Sequence, residues 1–368
     1  MDNILYIGPY REFSGLGNAS RMYIRSLIRT GHNISIRPIY NVHREYPESE
    51  IEDEILELEL NFSKKYHKVI QHSYPHQFCY NSNFDEHIGI VHLESSNYFI
   101  NIIQYLSNMD KIIVGSNFVK NQVQRYIPKI FVVPEPIDLE LINNHKNNNT
   151  NKKENDSYSF YCISEWSFRK NIDKIIFAFL KLANYYENIE LVIKTKSSIY
   201  SDTDIKEGIE YTLSKLNKVV NTNKIKKPKI VVGETSLDGI YYIHNNNDCL
   251  INVSSGESFG YPVLESMAFN NNIIGNDKGS ISEIISDGCG LLTKTEPVQC
   301  FDEDRPYPIY NSSLQLFDSP FMNDLYSNMQ IAINENQTEK ENRIKKQSEK
   351  IQSYSIENIS KLLNNVLL

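Results

Sequence analysis

The sequence predicts an α/β protein with two doubly wound domains, each built on a parallel sheet between helices. Residues 3–8 form an apolar run, a helical stretch follows from Asn18 to about Thr30, and a second apolar run covers 33–39. This is a βαβ unit, from which doubly wound sheets are assembled. A second series of alternating strands and helices begins at Tyr158, so the pattern occurs twice along the chain.

A polar stretch at 143–157 separates the two series. It contains almost no apolar side chain, which is typical of an exposed loop or linker. We therefore expect an N-terminal domain at 1–150 and a C-terminal domain at 151–351, with a last helix at about 352–368. Residues 296–320 carry only the signals of a loop. Two domains also fit the length of 368 residues, at roughly 100–200 residues per domain.

Each predicted element is placed by its hydrophobic period and by the glycine, proline and polar residues that flank it. In the first half, the predicted strands lie at 3–8, 33–39, 68–71, 88–92, 111–114 and 130–133. The predicted helices there lie at 18–30, 50–65 and 117–126. In the second half, the predicted strands lie at 158–163, 190–194, 229–232, 249–253, 272–275 and 291–293. Its predicted helices lie at 171–186, 205–221, 236–244, 262–269 and 280–286, with further helices after 320.

Charge and composition limit the classes of function. The chain has 38 Lys and Arg against 46 Asp and Glu, so a nucleic-acid partner is not expected. No run approaches the ~18–20 apolar residues that a membrane span needs, and the start shows no signal-peptide pattern. The five cysteines form no C-x-x-C pair. These features predict a soluble, cytoplasmic protein with reduced thiols.

The most informative segment follows the predicted strand at 249–253. A glycine-containing loop leads from that strand to a helix that begins at Pro262, and proline is favoured at the start of a helix. Gly260 lets the backbone approach a ligand, and the N–H groups of a helix start attract anions and hydroxyl oxygens. Glu257 lies in the loop and Glu265 about one turn into the helix. The two carboxylates can therefore reach different parts of one extended ligand.

A basic pair, Arg169 and Lys170, follows the first strand of the second half. Arginine offers a planar fork of donors and lysine a compact charge, which together suit a diphosphate. No Asp-x-Asp element, which would hold a divalent ion on such a group, stands at an expected strand end. The pair thus predicts diphosphate binding without a metal.

His92 and Glu94 stand at the end of the predicted strand 88–92. Ligands of open α/β sheets bind at the carboxyl ends of the strands, so both side chains are candidates for the site.

Arg21, Arg25 and Arg29 are spaced four residues apart on the first helix and share one face. Two interpretations stay open at this point. The three arginines form a solvated stripe, or they form an anion site for a phosphorylated acceptor or for weak contact with a membrane surface.

In their order, these motifs resemble those of retaining glycosyltransferases of the GT-B fold, family 4 type, also called glycosyl transferases group 1. The Glu-x7-Glu spacing in Gly-Glu-Ser-Phe-Gly-Tyr-Pro-Val-Leu-Glu (256–265) is similar to the family signature. Ser-Phe-Arg-Lys-Asn (167–171) is similar to its donor-binding element. Further similar segments stand in the expected order at 14–17, 110–118, 132–138, 191–194 and 248–251. The resemblance covers roughly residues 1–295.

The resemblance implies two Rossmann-like domains that face a cleft, with the last helix packed back on the first domain. It implies a nucleoside-diphosphate sugar as donor, with UDP or GDP expected, and a saccharide or lipid-linked acceptor. It implies no cofactor and no required metal. The anomeric configuration would be retained by front-face attack, or alternatively by double displacement through Glu257.

The same resemblance assigns the donor-binding roles. Arg169 and Lys170 would bind the diphosphate, next to the glycine-rich first loop with Gly15 and Gly17. Glu265 would accept hydrogen bonds from the ribose hydroxyls.

The sugar itself would be held by Glu257 and by the loop residues Ser258, Phe259 and Gly260, the last two through backbone N–H groups. In the first domain, either His92 or Glu94 would meet the donor sugar or the acceptor. The catalytic set implied in this way is Glu257, His92 and Glu94.

Three other classes of protein are alternatives to this interpretation of the sequence. In an NAD-dependent Rossmann enzyme a third glycine would follow Gly17, but Ser20 stands there, and Arg37 to Tyr40 offer no acidic residue after the second strand. A GT-B epimerase or phosphorylase shares the fold with other chemistry. A non-catalytic sugar-nucleotide-binding protein is the third alternative, and turnover with a panel of sugar nucleotides separates it from an enzyme.

Overall fold

The computed structural model describes residues 2–41, 45–96, 100–148, 157–197, 199–220, 227–300 and 315–368. The chain divides into two compact units. Unit 1 consists of Met1–Asp138 and Gln352–Leu368, and unit 2 consists of Leu139–Ile351. The predicted α/β architecture, with one parallel sheet in each half, is confirmed.

Unit 1 is built on a parallel sheet whose strands are β1 (Asn3–Gly8), β2 (Asn33–Pro38), β3 (Lys68–His72), β4 (Glu86–Ile90), β5 (Lys111–Val114) and β6 (Ile130–Val132). The strand order across the sheet is β2-β1-β3-β4-β5-β6. In register, Tyr6 of β1 lies opposite Ile36 of β2 and Ile70 of β3. The order changes direction between β1 and β3, so this is the topological switch point at which such sheets bind ligands.

The helices that cover this sheet are α1 (Gly15–Ile28), α2 (Asp53–Leu60), α3 (Ile100–Leu106) and α4 (Asn117–Val123). Helix α1 begins three residues before the predicted start at Asn18. The reason is a side-chain cap, because Ser14 Oγ accepts a hydrogen bond from Gly17 N at 3.0 Å. Helix α3 was not predicted.

Unit 2 has its own parallel sheet, with strands β7 (Tyr158–Glu165), β8 (Ile189–Lys196), β9 (Lys229–Val232), β10 (Cys249–Asn252), β11 (Asn272–Asn276) and β12 (Leu291–Thr293). Their order is β12-β11-β10-β7-β8-β9, which is the strand order of dinucleotide-binding folds. The switch point therefore lies between β7 and β10.

The helices of unit 2 are α5 (Leu139–Asn148), α6 (Ile172–Leu182), α7 (Asp202–Val220), α8 (Leu237–Asn245), α9 (Tyr261–Ala268), α10 (Ser280–Ile285), α11 (Met322–Ile333) and α12 (Gln337–Ile351). A separate antiparallel hairpin joins β13 (Thr295–Gln299) to β14 (Leu316–Pro320). The prediction of a loop at 296–320 is wrong at both ends of that stretch, and residues 301–314 lie outside the described residues.

The predicted linker at 143–157 is also partly wrong, because 143–148 belong to α5. Polar residues form a helix here since tertiary contacts hold them. The ring of His145 packs edge-on against Tyr241, and Lys146 Nζ donates a 2.9 Å hydrogen bond to Ala268 O at the end of α9. Residues 149–156 lie outside the described residues.

The last helix, α13 (Ile356–Leu367), packs against α1 in unit 1. Its apolar face, which includes Ile359 and Leu363, belongs to the core of that unit. Its final carbonyls are capped by cations from the sheet. Lys68 Nζ donates to Leu367 O at 2.5 Å and Lys111 Nζ donates to Val366 O at 2.6 Å, an arrangement that favours the negative end of the helix dipole.

Each unit has its own hydrophobic core between sheet and helices. In unit 2, Phe160 and Ile193 of the sheet are fully buried against Ile175 and Phe179 of α6. Burying an aliphatic or aromatic side chain of this size stabilises a fold by roughly 1.5–3 kcal/mol. Within each unit, such rigid layers fix the carboxyl ends of the strands, where polar side chains of that unit lie.

Candidate functional site

In unit 2, most of the predicted site residues meet at the switch point of the sheet. The turn at 167–171 follows β7, and the loop at 253–260 follows β10. Asn171, whose φ of 53° places it in the left-handed region, joins the two segments. Its Nδ2 donates to Val253 O at 2.7 Å and to Ser255 Oγ at 2.8 Å. Asparagine tolerates this backbone conformation. The two hydrogen bonds from its side chain hold the turn and the loop together.

Arg169 lies beneath the loop with 2% of its surface exposed. Its Nη1 donates a 2.5 Å hydrogen bond to Gly256 O, and its own carbonyl accepts one from Ser255 N at 2.8 Å. The side chain therefore fixes the shape of the loop and brings a permanent positive charge to the switch point.

Lys170 forms an ion pair with Glu257. The sequence predicts a binding role for each of these two residues independently. Nζ and Oε2 are 2.5 Å apart, and the two side chains are 11% and 17% exposed. Such a close pair in a partly buried setting is stronger than a surface ion pair. The structure thus brings Lys170, which is predicted to bind the diphosphate, into direct contact with Glu257, which is predicted to bind the sugar.

The loop presents its backbone N–H groups in a defined direction. Ser280 Oγ donates to Ser258 O at 2.5 Å and to Glu257 O at 3.3 Å. Because C=O and N–H point in opposite directions in a planar trans peptide, the N–H groups of Ser258 and Phe259 are directed away from Ser280. This orientation agrees with the predicted use of the loop amides as donors.

Gly260 ends the loop and caps α9 with a φ of 112°. A residue with a side chain is strained in that conformation, so a glycine is required. Phe259 is 2% exposed, and its side chain belongs to the core. The side chain of Phe259 is therefore shielded, and a ligand contact from this residue would come from its backbone.

Glu265 lies in the second turn of α9 and joins a buried network. Its Oε2 is 3.2 Å from Nε2 of His244, and Nδ1 of His244 is 2.7 Å from the Tyr161 hydroxyl. The same hydroxyl contacts Ser266 Oγ at 3.0 Å and accepts a hydrogen bond from Asn271 Nδ2 at 2.9 Å. Burial raises the pKa of Tyr161, so the phenol is neutral.

His244 and Tyr161 are not predictable as site residues from the sequence. Both fall inside predicted elements, a helix and a strand, where polar residues give no local signal of a site. Only the fold brings Tyr161 to His244, 83 positions away along the chain, and to Ser266, 105 positions away, and so places both beside Glu265.

The β13–β14 hairpin supports the loop from the side of β11. Asp318 N donates to Ser255 O at 2.8 Å, and Asn276 Nδ2 donates to Ser254 O at 2.8 Å. Burial raises the pKa of the Asp318 carboxyl, which Lys278 contacts at 3.6 Å. The loop is thus fixed by side chains and backbone from the turn at 167–171, from α10, from β11 and from β14.

In unit 1, the predicted glycine-rich loop forms the start of α1. Gly15 is exposed at the first turn. Gly17 is buried, and a side chain there would come within 2.1 Å of the Glu12 carbonyl oxygen. The N–H of Gly17 donates to the Ser14 cap, so close packing and capping explain this glycine without a ligand.

His92 lies two residues beyond β4 and is held from both sides. Its Nδ1 is 2.9 Å from Glu135 Oε1, and its Nε2 is 2.7 Å from Nε2 of His72. The chain continues inward, since His72 Nδ1 is 2.6 Å from the Tyr6 hydroxyl, which in turn is 2.8 Å from Ser20 Oγ. These residues line the switch point between β1 and β3.

One set of proton positions satisfies all these contacts. Burial, with a smaller effect of His92, holds the pKa of His72 well below its usual value, so His72 is neutral. Because Glu135 accepts from His92 Nδ1–H, His92 Nε2 can accept from His72, and His72 Nδ1 from Tyr6. The chain then runs in one direction, from Ser20 to Glu135. Glu94 lies two residues further on and is half-buried.

The arginines of α1 have internal partners. Arg21 is 5% exposed, lies 3.8 Å above the Tyr46 ring and donates to Tyr10 O at 2.7 Å. Arg25 pairs with Asp138 and lies 3.5 Å from Glu52. The stripe is therefore not solvated as a whole, since Arg21 is buried and the charge of Arg25 is paired with carboxylates.

Comparisons with known proteins agree with this geometry. Residues 143–303 match the family model described as glycosyl transferases group 1. No curated protein matches the sequence. Among solved structures, HepE from Anabaena in complex with UDP-glucose is similar over 100% of this chain and 99% of its own, with a TM-score of 0.67 and 11% identity.

Two further solved structures are similar at the same level. A glycosyltransferase from Rickettsia africae has a TM-score of 0.66 and 14% identity, with coverage of 100% of this chain and 98% of its own. Sucrose-phosphate synthase from Thermosynechococcus elongatus has a TM-score of 0.64 and 14% identity, with the same coverage. At these identities the likeness shows the fold.

The fold is the GT-B fold, and the match to the model of the glycosyl transferases group 1 covers less than half of the chain. The resemblance to the glycosyl transferases group 1 that the sequence predicts is confirmed, and the matched stretch contains the turn at 167–171 and the loop at 253–260. Among the described helices, none has the length and the apolar character to cross a bilayer.

Proposed function

We propose that this protein transfers a sugar from a nucleoside-diphosphate sugar to an acceptor hydroxyl with retention of configuration and without a required metal. The observation that carries the proposal is the joined group of Arg169, Lys170 and Glu257 at the switch point of unit 2. The acceptor would be a saccharide or a lipid-linked saccharide.

The donor diphosphate would lie against Arg169 and Lys170. In the structure the charge of Lys170 is balanced by Glu257, and a diphosphate would compete with that carboxylate for the ammonium. The similar HepE structure is a complex with UDP-glucose, which supports UDP as a candidate nucleotide. GDP is the other nucleotide that we propose to test.

The sugar would be held by Glu257 and by the N–H groups at Ser258, Phe259 and Gly260. The orientation that Ser280 imposes on this loop supports the assignment. Glu265, eight residues after Glu257 and on the helix, would accept hydrogen bonds from the ribose. Hydrogen bonds to a charged acceptor each contribute about 1.5–3 kcal/mol.

Retention would follow from front-face attack. The bond from the anomeric carbon to the diphosphate oxygen breaks, the acceptor oxygen bonds to the same face, and its proton passes to the leaving diphosphate. Double displacement would require Glu257 as a nucleophile.

In unit 1, His92 and Glu94 are proposed to meet the donor sugar or the acceptor, and Gly15 to lie near the donor. His92 is oriented by Glu135 and His72, which gives it a fixed ring position. Because both ring nitrogens are engaged, a ligand hydroxyl would have to displace His72 from Nε2 in order to bind there.

The test is turnover of a panel of UDP, GDP, ADP and TDP sugars, with and without saccharide acceptors, in the presence of EDTA. We expect transfer or slow hydrolysis of at least one donor that EDTA leaves unchanged, and a product with the anomeric configuration of the donor by NMR. Tight binding of a donor without any turnover would favour a non-catalytic binding protein. Inversion of configuration would contradict the proposed mechanism.

A further inference from the structure

The buried contact between His244 and Glu265 has a consequence for donor recognition. A carboxylate only accepts hydrogen bonds, so His244 presents Nε2–H to Glu265 Oε2 at 3.2 Å. The two side chains are 0% and 8% exposed. Water therefore contributes little to their solvation, and the imidazole N–H is a hydrogen-bond donor to this carboxylate.

The imidazole is itself held in one orientation. Tyr161 contacts its other nitrogen, Nδ1, at 2.7 Å. One face of the ring stacks on Phe269, with centroids 5.5 Å apart and planes inclined by 10°. Tyr161 is in turn fixed by Ser266 and Asn271. Rotation of the ring would break contacts on two sides, so His244 delivers its N–H from a preformed position.

We propose that His244 is a positioning residue for the nucleoside of the donor. It occupies one oxygen of Glu265, fixes the plane of the carboxylate and leaves the second oxygen to accept from the ribose hydroxyls. The inference rests on the proposed role of Glu265 and extends it to a residue of another helix, α8. His244 does not touch the ligand itself, and it acts on the affinity for the ribose through Glu265.

Two substitutions separate the N–H donor from the ring. His244→Phe keeps an aromatic ring against Phe269 but removes the donor. His244→Gln restores an N–H near the position of Nε2. His145→Phe is the matched control, because His145 also packs edge-on against Phe269, at 6.2 Å, but belongs to another helix, α5.

The experiment is calorimetric titration of UDP and GDP and of their 2′,3′-dideoxy analogues. For whichever nucleotide the wild type binds, we expect His244→Phe to weaken affinity about tenfold, since one oriented charge-assisted hydrogen bond is lost. The dideoxy analogue should lose less than about twofold, because its affinity does not use Glu265. His244→Gln should restore most of the loss, and His145→Phe should bind both nucleotides as the wild type does.

Equal weakening of the ribose and dideoxy forms by His244→Phe would overturn the inference, because it would reveal a general structural role. So would unchanged binding of both. Glu265→Ala separates this failure from failure of the proposed function. If Glu265→Ala discriminates between the two forms and His244→Phe does not, the role of His244 alone is wrong. If Glu265→Ala does not discriminate, the ribose role is wrong as well.

A folding defect in His244→Phe is handled by a second variant. Tyr161→Phe leaves the imidazole in place and removes the hydroxyl at Nδ1. It should weaken the ribose form by a smaller factor, about threefold, and leave the dideoxy form unchanged. Equal effects of Tyr161→Phe on the ribose and dideoxy forms would also overturn the inference.

Discussion

Single side chains at the two switch points decide what this fold can bind. In unit 2 the guanidinium of Arg169 fixes the loop carbonyl of Gly256, and Lys170 holds Glu257. The residue types of this group were predictable, because a basic pair and two spaced glutamates stand out in the sequence. Their direct contact was not, since Lys170 and Glu257 are 87 positions apart and only the parallel order of β7 and β10 brings them together.

At this scale we predict that Arg169→Ala with Lys170→Ala lowers kcat by a factor of about 100 or more. Charge that develops on the leaving diphosphate would lose its two cations, and loss of one such preorganised donor already costs about 10²–10³ in rate. The measurement is steady-state turnover of the donor found in the panel. Lys227→Ala is the control, because Lys227 is 63% exposed and pairs with the surface residue Glu210. Normal turnover of the double variant would refute the diphosphate role.

A second prediction at the residue scale concerns His72. Because burial holds its pKa well below 6.5, the unfolded chain takes up a proton near pH 6.5 and the native state does not. Stability is therefore present above about pH 6.5 and is lost as the pH falls below it, with a limiting slope of about 1.36 kcal/mol per pH unit.

The measurement for His72 is hydrogen–deuterium exchange of the β3 peptides between pH 5 and 7, corrected for intrinsic exchange rates. His72→Gln cannot take up this proton, so its opening free energy should depend less on pH than that of the wild type. Identical slopes in the two proteins would show that His72 is not the group responsible.

At the scale of elements, the sequence predicts most strands and helices but not those that depend on distant partners. The apolar runs of the parallel strands are strong signals, because buried strands are continuous hydrophobic segments. The polar residues 143–148 are helical because His145 and Lys146 find partners on α8 and α9. The hairpin of β13 and β14 was missed for a related reason, since neither strand has a buried apolar run of its own.

The docking of α13 gives the prediction at this scale. Leu363 is fully buried in the core of unit 1, whereas its neighbour Leu362 is 37% exposed. Leu363→Ala should destabilise unit 1 by about 2–5 kcal/mol through lost burial and the cavity left behind. Leu362→Ala is the matched control and should cost less than about 1 kcal/mol. Opening free energies of β1 and β3 from hydrogen exchange give both values, and equal effects would mean that α13 does not complete this core.

At the scale of the whole molecule, each unit contains a similar hydrogen-bonded group of a serine, a tyrosine and a histidine. In unit 1, Tyr6 of β1 joins a serine of α1 to His72. In unit 2, Tyr161 of β7 joins a serine of α9 to His244. Each histidine then leads to a carboxylate group, through His92 in unit 1 and directly to Glu265 in unit 2. Both networks lie beside the switch point of their sheet, where ligands of this architecture bind.

The sequence predicts that each half carries a site but not these networks. A tyrosine in a strand and a histidine near the end of a helix or a strand are common in cores, and their pairing depends on strand order. The same limit applies to the acceptor, because the residues of unit 1 that would choose it follow no recognisable motif.

We propose that unit 2 binds a nucleoside diphosphate at the turn 167–171 and the loop 253–260. Hydrogen–deuterium exchange with and without saturating UDP or GDP is the sharpest test of this proposal. Bound ligand stabilises the segments it contacts by an amount set by its affinity, about 2.7 kcal/mol at 100 times its Kd. We expect slower exchange in these two segments and at the start of α9 when the nucleotide is bound. Unchanged exchange there with every nucleoside diphosphate, or protection confined to other segments, would contradict it.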